Sequence, residues 1–245
     1  MSFVRALQRK KYRQKYHNFI AEGVKLAREV LQAHTLEVEA LFALESWLEA
    51  HPGLWQPQAE KTFLVTEAEL KKISALSTPQ SVLLVLRTPT WQLDARALQT
   101  ALTLYLDDIR DPGNLGTIWR IADWFGLPQL LCSPECVEPF NPKVIQASMG
   151  AFLRVPLVFL PFEELRAAAP ELPCAAADPA GENLFHTGWK PPGVLVIGNE
   201  SRGIRPELMS QIPGRLAIPR GARGGAESLN AAVAAGIFCA FLCAR

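Results

Sequence analysis

Three short stretches place polar side chains at or just beyond the ends of predicted strands, where open α/β sheets gather their ligands. The first is Asp111-Pro112-Gly113-Asn114-Leu115-Gly116, with Arg120 six residues after Asn114, roughly one and a half helical turns on. Asn114 can cap the helix or contact a substrate. The guanidinium of Arg120 suits a phosphate or carboxylate, or can simply face solvent. The second is Val194-Leu195-Val196-Ile197-Gly198-Asn199-Glu200-Ser201-Arg202-Gly203, where a buried strand ends at Gly198 and a carboxylate follows at the turn. Glu200 there is either a site acid or a solvated one. The third runs from Leu216-Ala217-Ile218-Pro219-Arg220 through a glycine-rich loop to Glu227-Ser228-Leu229-Asn230 and an alanine-rich tail. A helix entered through Ser228 would offer side-chain oxygens and orphan amides to a docked ligand.

These stretches need a sheet to hold them, and the hydrophobic pattern supplies two. Before residue 90, strands are predicted at Phe19–Glu22, Val38–Leu44, Lys61–Val65 and Ser81–Leu86, alternating with helices. Thr66 and Glu69 form a capping-box pattern. Polar Arg87-Thr88-Pro89-Thr90 reads as a linker. Beyond it, strands are predicted at Leu102–Leu106, Leu130–Leu131, Val155–Leu160, Cys174–Ala177 and Val194–Ile197, with a helix over Leu115–Phe125. The expected plan is two α/β domains, residues 1–92 and 93–245.

Composition narrows the function. A net charge of +1 conceals eight basic residues against one acid between Met1 and Arg28. Arg9, Lys10, Lys11 and Arg13, interleaved with Tyr12 and Tyr16, suit a short surface helix that holds RNA phosphates while rings stack on bases. A solvated cationic face is the plainer reading of the same charges. The five cysteines show no zinc spacing and read as reduced, buried thiols of a cytoplasmic protein. No signal peptide or membrane-spanning run is evident. The dinucleotide fingerprint, the phosphate loop and the nucleophile elbow are absent, which disfavours the enzymes built on them.

Taken together, the three stretches resemble the SpoU family of RNA ribose methyltransferases in the SPOUT superfamily. N-L-G-T-I-W-R-I-A-D-W-F-G is similar to that family's first motif, L-V-I-G-N-E-S-R-G-I to its second, and I-P-R with E-S-L-N-A-A-V-A-A-G to its third. R-K-K-Y-R through F-I-A-E-G looks like the family's ribosomal-protein-like substrate-binding domain. The resemblance implies a C-terminal SPOUT domain with a deep trefoil knot around a mostly parallel sheet, and a small N-terminal α/β domain that binds substrate. It implies methyl transfer from S-adenosylmethionine to a ribose 2'-hydroxyl of structured RNA, 23S ribosomal RNA ahead of transfer RNA, by a homodimer without metal; the alternative is a non-catalytic RNA-binding protein with the same fold. Gly198, Ile218, Leu229 and Ala177 would line the cofactor pocket. Asn114, Arg120, Glu200, Ser228 and Asn230 would surround the transfer site. One departure is Arg220–Ala226, longer than the family's usual loop by a couple of residues, which suggests a flap over cofactor or RNA.

Overall fold

The computed structural model describes residues 1–244, and the chain divides into two compact units. Met1–Thr90 and Glu138–Leu153 form the first; Trp91–Val137 and the chain from Arg154 onward form the second.

In the first unit the order is α1 (Ser2–Ala6), α2 (Lys10–Tyr16), β1 (Asn18–Glu22), α3 (Val24–Ala33), β2 (Val38–Ala43), α4 (Glu45–Ala50), α5 (Pro52–Trp55), β3 (Thr62–Leu64), α6 (Glu67–Ile73) and β4 (Val82–Arg87). The four strands lie in the order β1-β4-β2-β3, antiparallel except for the parallel β2–β3 pair. Val82–Leu86 are all buried, as a continuous apolar run at the middle of a covered sheet should be. The single helix expected near the N-terminus is two, because Arg9 adopts an extended conformation between them. Thr66 and Glu69 close the anticipated capping box: Glu69 N–H donates to Thr66 Oγ1 at 3.3 Å and Thr66 N–H to Glu69 Oε2 at 2.9 Å.

The segment Glu138–Leu153 joins this unit through aromatic packing. The ring of Phe19, on β1, has that of Phe140 at 4.7 Å and that of Phe152 at 5.8 Å, centre to centre. Arg13 adds a polar clamp. It is 4% exposed, donates to the carbonyl of Leu7 at 2.6 Å and pairs with the Glu138 carboxylate.

The second unit follows with α7 (Ala95–Leu98), β5 (Leu102–Leu106), α8 (Pro112–Trp124), β6 (Leu130–Cys132), then α9 (Pro142–Ser148, within the first unit), β7 (Leu157–Phe159), α10 (Phe162–Ala168), β8 (Cys174–Asn183), β9 (Gly193–Ile197), α11 (Pro206–Met209), β10 (Gly214–Ala217) and α12 (Ala231–Leu242). Its six strands are paired in parallel in the order β10-β8-β9-β5-β6-β7. The chain starts at β5, moves outward to β7, and returns to the other side of β5 through β8 and β9. That reversal makes the carboxyl ends of β5 and β9 a topological switch point, the position at which doubly wound sheets bind ligands.

Two local features shape the ends of these strands. Between β8 and β10 the register jumps from Arg215–Ala176 to Leu216–Glu182, so residues 177–181 leave the ladder. Gly181 permits the strands to close again, since a Cβ there would lie 2.6 Å from the backbone of Arg215 and Leu216. The apolar tail forms α12, which buries Ala231, Ala232, Ala235, Phe238, Cys239 and Leu242. Gly236 brings α12 close to Ile121 of α8, which a Cβ would just touch at 3.6 Å. All five cysteines are free and four are buried; Cys243, at the end of α12, is exposed, contrary to the expectation for the set. Among the described residues no helix is long and apolar enough to cross a membrane.

Candidate active site

The loops that leave β5 and β9 are pinned by a few hydrogen bonds. Leu106 pairs with Ile197 at the ends of the two strands, and Asp107 N–H continues the ladder to the Ile197 carbonyl at 2.8 Å. Beyond β9 the chain doubles back: Asn199 and Gly203 exchange main-chain hydrogen bonds of 3.0 and 2.9 Å. Gly203 has φ +70°, and Gly198 must lack a side chain because a Cβ would fall 2.3 Å from the Gly203 carbonyl carbon. The Asn199 amide then reaches across to the Asp108 carbonyl at 2.8 Å, tying the second motif to the first.

Under this turn sits an ion cluster that the sequence reading did not single out. The Asp107 carboxylate, 0% exposed, accepts from the Arg205 main-chain N–H at 2.9 Å and its Nε at 2.8 Å, and lies 2.7 Å from Nη2. Arg205 Nη1 lies 3.2 Å from Glu135. The hydrogen bond to Asp107 raises the Arg205 guanidinium pKa above its ordinary value, against the opposing effect of burial. Asp107 and Arg205 are 98 residues apart, so no local pattern could pair them. The one available signal was two adjacent acids, Asp107 and Asp108, directly after a buried strand.

Above it the motif side chains converge. Asp111, not Asn114, caps α8, accepting the Asn114 N–H at 2.8 Å. Asn114 therefore lies in the first helical turn with its amide directed elsewhere. Its Nδ2 donates to Glu200 Oε1, and its Oδ1 accepts from Asn230 Nδ2 at 2.8 Å. Asn230 is in turn the cap of α12, accepting from Ala232 N–H at 2.9 Å and Val233 N–H at 3.2 Å. The helix entry expected at Ser228 is thus at Asn230, and Ser228 lies outside in an exposed loop. Arg120 projects from α8 into solvent and forms no hydrogen bond or ion pair among the described residues.

The expected cofactor residues sit at neighbouring strand ends. Gly198 follows β9, Ile218 follows β10, and Ala177 starts the excursion in β8. Leu229, 46% exposed, precedes α12. Between Ile218 and Leu229 the only main-chain hydrogen bond among the described residues is Gly224 N–H to the Gly221 carbonyl, 2.8 Å. The other main-chain groups of that segment have no main-chain partner among the described residues.

In the first unit, Arg9, Lys10 and Lys11 are exposed. Lys11 lies over the Tyr12 ring at 4.8 Å and Lys15 over Tyr16 at 5.2 Å; Tyr12 and Tyr16 are stacked at 6.3 Å, and Phe3 meets Tyr16 edge-on at 5.0 Å. Arg13 differs from its neighbours. Buried and bonded to Glu138 and Leu7, it is not free to meet a phosphate, and its expected RNA role is withdrawn.

The family comparison gives the class: residues 101–240 match the SpoU rRNA Methylase family, and residues 2–84 an MRM3-like substrate binding domain. The chain belongs to the SpoU rRNA methylase family and is an RNA methyltransferase of that class. A TrmH-family structure from Porphyromonas gingivalis superposes with a TM-score of 0.86 at 34% identity, over 98% of this chain and 95% of that one. The AdoMet-bound rRNA methyltransferase of Sinorhizobium meliloti gives 0.85 at 28% identity, over 98% and 92%. The 23S rRNA (guanosine(2553)-2'-O)-methyltransferase RlmP of Bacillus subtilis is 28% identical over 94% of this chain and 90% of its own.

Proposed function

We propose that the protein transfers a methyl group from S-adenosylmethionine to a ribose 2'-hydroxyl of ribosomal RNA. The observation that carries this reading is the hydrogen-bonded chain Asn230–Asn114–Glu200, which joins all three motifs while Arg120 is exposed and unpaired among the described residues. Bound S-adenosylmethionine would supply a methyl carbon activated by an adjoining sulfonium. Gly198, Ile218, Leu229 and Ala177 would hold it, largely through main-chain groups. The polypeptide from about Gly198 to Asn230 would form the knot.

The chain's own task is to make the 2'-oxygen nucleophilic and to aim it. Arg120 meets the phosphate beside the target ribose, and its fixed positive charge lowers the cost of forming an alkoxide. It does not take the proton, because a guanidinium cation has no free lone pair to act as a base; the proton leaves to phosphate, water or a neighbouring group. Asn114 and Asn230, locked to each other, and Ser228 on the adjoining loop hold the ribose. Glu200 keeps Asn114 oriented. Positioning of this kind can supply much of the rate.

The partner is RNA, and the first unit's exposed Arg9, Lys10 and Lys11 beside the stacked Tyr12 and Tyr16 are its docking face. The protein acts in the cytoplasm as a homodimer. Supporting the dimer, the second unit leaves Trp124 83% exposed on α8 and Val233 52% exposed on α12. Sedimentation at micromolar concentration should show a dimer, and a monomer alone would remove this part. For the reaction, purified protein, S-adenosylmethionine and ribosomal RNA should yield one 2'-O-methylnucleoside on digestion. A base-methylated product, or transfer to transfer RNA alone, would replace the assignment.

A further inference from the structure

The loop between β10 and α12 carries two cations that the reaction above does not use. Residues 221–230 are all exposed, and Arg220, just before them, is exposed as well. Neither Arg220 nor Arg223 has a hydrogen bond or ion pair among the described residues, and the loop's one carboxylate, Glu227, is bonded to neither. The loop is nevertheless shaped. Gly224 N–H closes a turn onto the Gly221 carbonyl at 2.8 Å, and the stem of Arg220 lies across that turn. A Cβ at Gly224 would stand 3.0 Å from Arg220 Cγ, so glycine is what allows the arginine to rest there. The loop ends at Asn230, whose amide bonds Asn114 of the transfer site.

Two unpaired guanidiniums held beside a site that receives a polyanion point to one use. We propose that Arg220 and Arg223 form a backbone-phosphate contact for the substrate RNA, outside the nucleotide whose ribose is methylated. This rests on the RNA methyltransferase reading. Arg is suited to the role because its planar fork engages two phosphate oxygens at once. The contact is to phosphate, so it adds affinity without reading sequence. It also keeps the strand near Asn230 and Asn114.

The test compares the full-length wild type with R220Q/R223Q and with R220K/R223K, using ribosomal RNA as the probe at several salt concentrations. The glutamine variant should bind RNA about tenfold more weakly at low salt, and its plot of log affinity against log salt should be shallower by about 1.5, because two phosphate contacts no longer release counterions. The lysine variant should recover most of both. Affinity for S-adenosylmethionine should be equal in all three. Unchanged RNA affinity and salt slope in R220Q/R223Q would overturn the proposal, as would a lysine variant no better than the glutamine one or a loss confined to cofactor binding. The wild-type arm separates the two readings. If wild type transfers no methyl to RNA, the enzyme assignment fails; if it does and the variants match it, only the loop's role fails.

Discussion

Two polar clusters at the carboxyl ends of the second unit's strands are built in opposite ways. In the lower one, Asp107 is fully buried and Arg205 is bonded to it through both main chain and guanidinium, with Glu135 taking another nitrogen. Every charge has a partner inside the protein. In the upper one, Asn114 bonds both Glu200 and Asn230, while Arg120 on the same helix as Asn114 faces solvent and has no partner among the described residues. The closed cluster ties together the loops after β5 and β9; the open one leaves a charge facing solvent, which the proposed function assigns to substrate. The first unit repeats the contrast with Arg13, clamped to Glu138, and its exposed neighbours Lys10 and Lys11.

Mutations can break that contrast. Arg120→Ala should lower methyl transfer by about 100- to 1,000-fold, the usual loss when a preorganised charge is removed from a transition state. Its melting temperature should match wild type, and a clear fall would show that Arg120 is structural after all. Asp107→Ala should do the reverse, destabilising the protein by about 3 kcal/mol in denaturant titration, because breaking a buried pair strands its partner. Arg205 is 40% exposed and can turn to water, which limits the cost. Arg13→Ala should cost about 2 kcal/mol by the same measurement, since Glu138 and the Leu7 carbonyl lose their donor. Lys10→Ala and Lys11→Ala should leave stability unchanged and weaken RNA binding.

Asn114→Ala sharpens the comparison from inside the open cluster. It should reduce turnover about tenfold and leave α8 intact, because Asp111 supplies the cap. The smallest effect concerns Glu22, whose pKa burial raises above the usual carboxylate value, with hydrogen bonds from Ser74 and Ala75 opposing the shift. The folded state therefore holds that proton more firmly than the unfolded chain, and stability falls as pH rises from about 4.5 through the raised value. In Glu22→Gln that slope should disappear from an otherwise parallel pH profile.

Much of this arrangement was legible in the residues because it is local. Ser81–Leu86 announces a buried strand by its unbroken apolar run, and Thr66–Glu69 a helix start by spacing alone. Gly198 marks where the buried strand Val194–Ile197 ends. What stayed hidden depends on contacts between distant residues. Asn114 had to be weighed as a cap until the structure showed Asp111 in that role and Glu200, 86 residues away, as its partner. Arg13 looks like its cationic neighbours until Glu138 is brought to it. The return of Glu138–Leu153 to the first unit rests on Phe140 and Phe152 packing against Phe19, rings that read from sequence as ordinary core residues. Ser228 and Asn230 are both good caps, and only the geometry chose Asn230.

The central claim is that Arg120, unpaired among the described residues and carried on the same helix as the bonded Asn114, serves methyl transfer to one ribose. Its most direct test is a map of 2'-O-methylation across total RNA in cells lacking the gene. One ribosomal RNA site should be lost, regained with the wild-type gene, and not regained with Arg120→Ala present at equal abundance. Recovery of the site by Arg120→Ala, or a map that deletion leaves unchanged, would contradict the account.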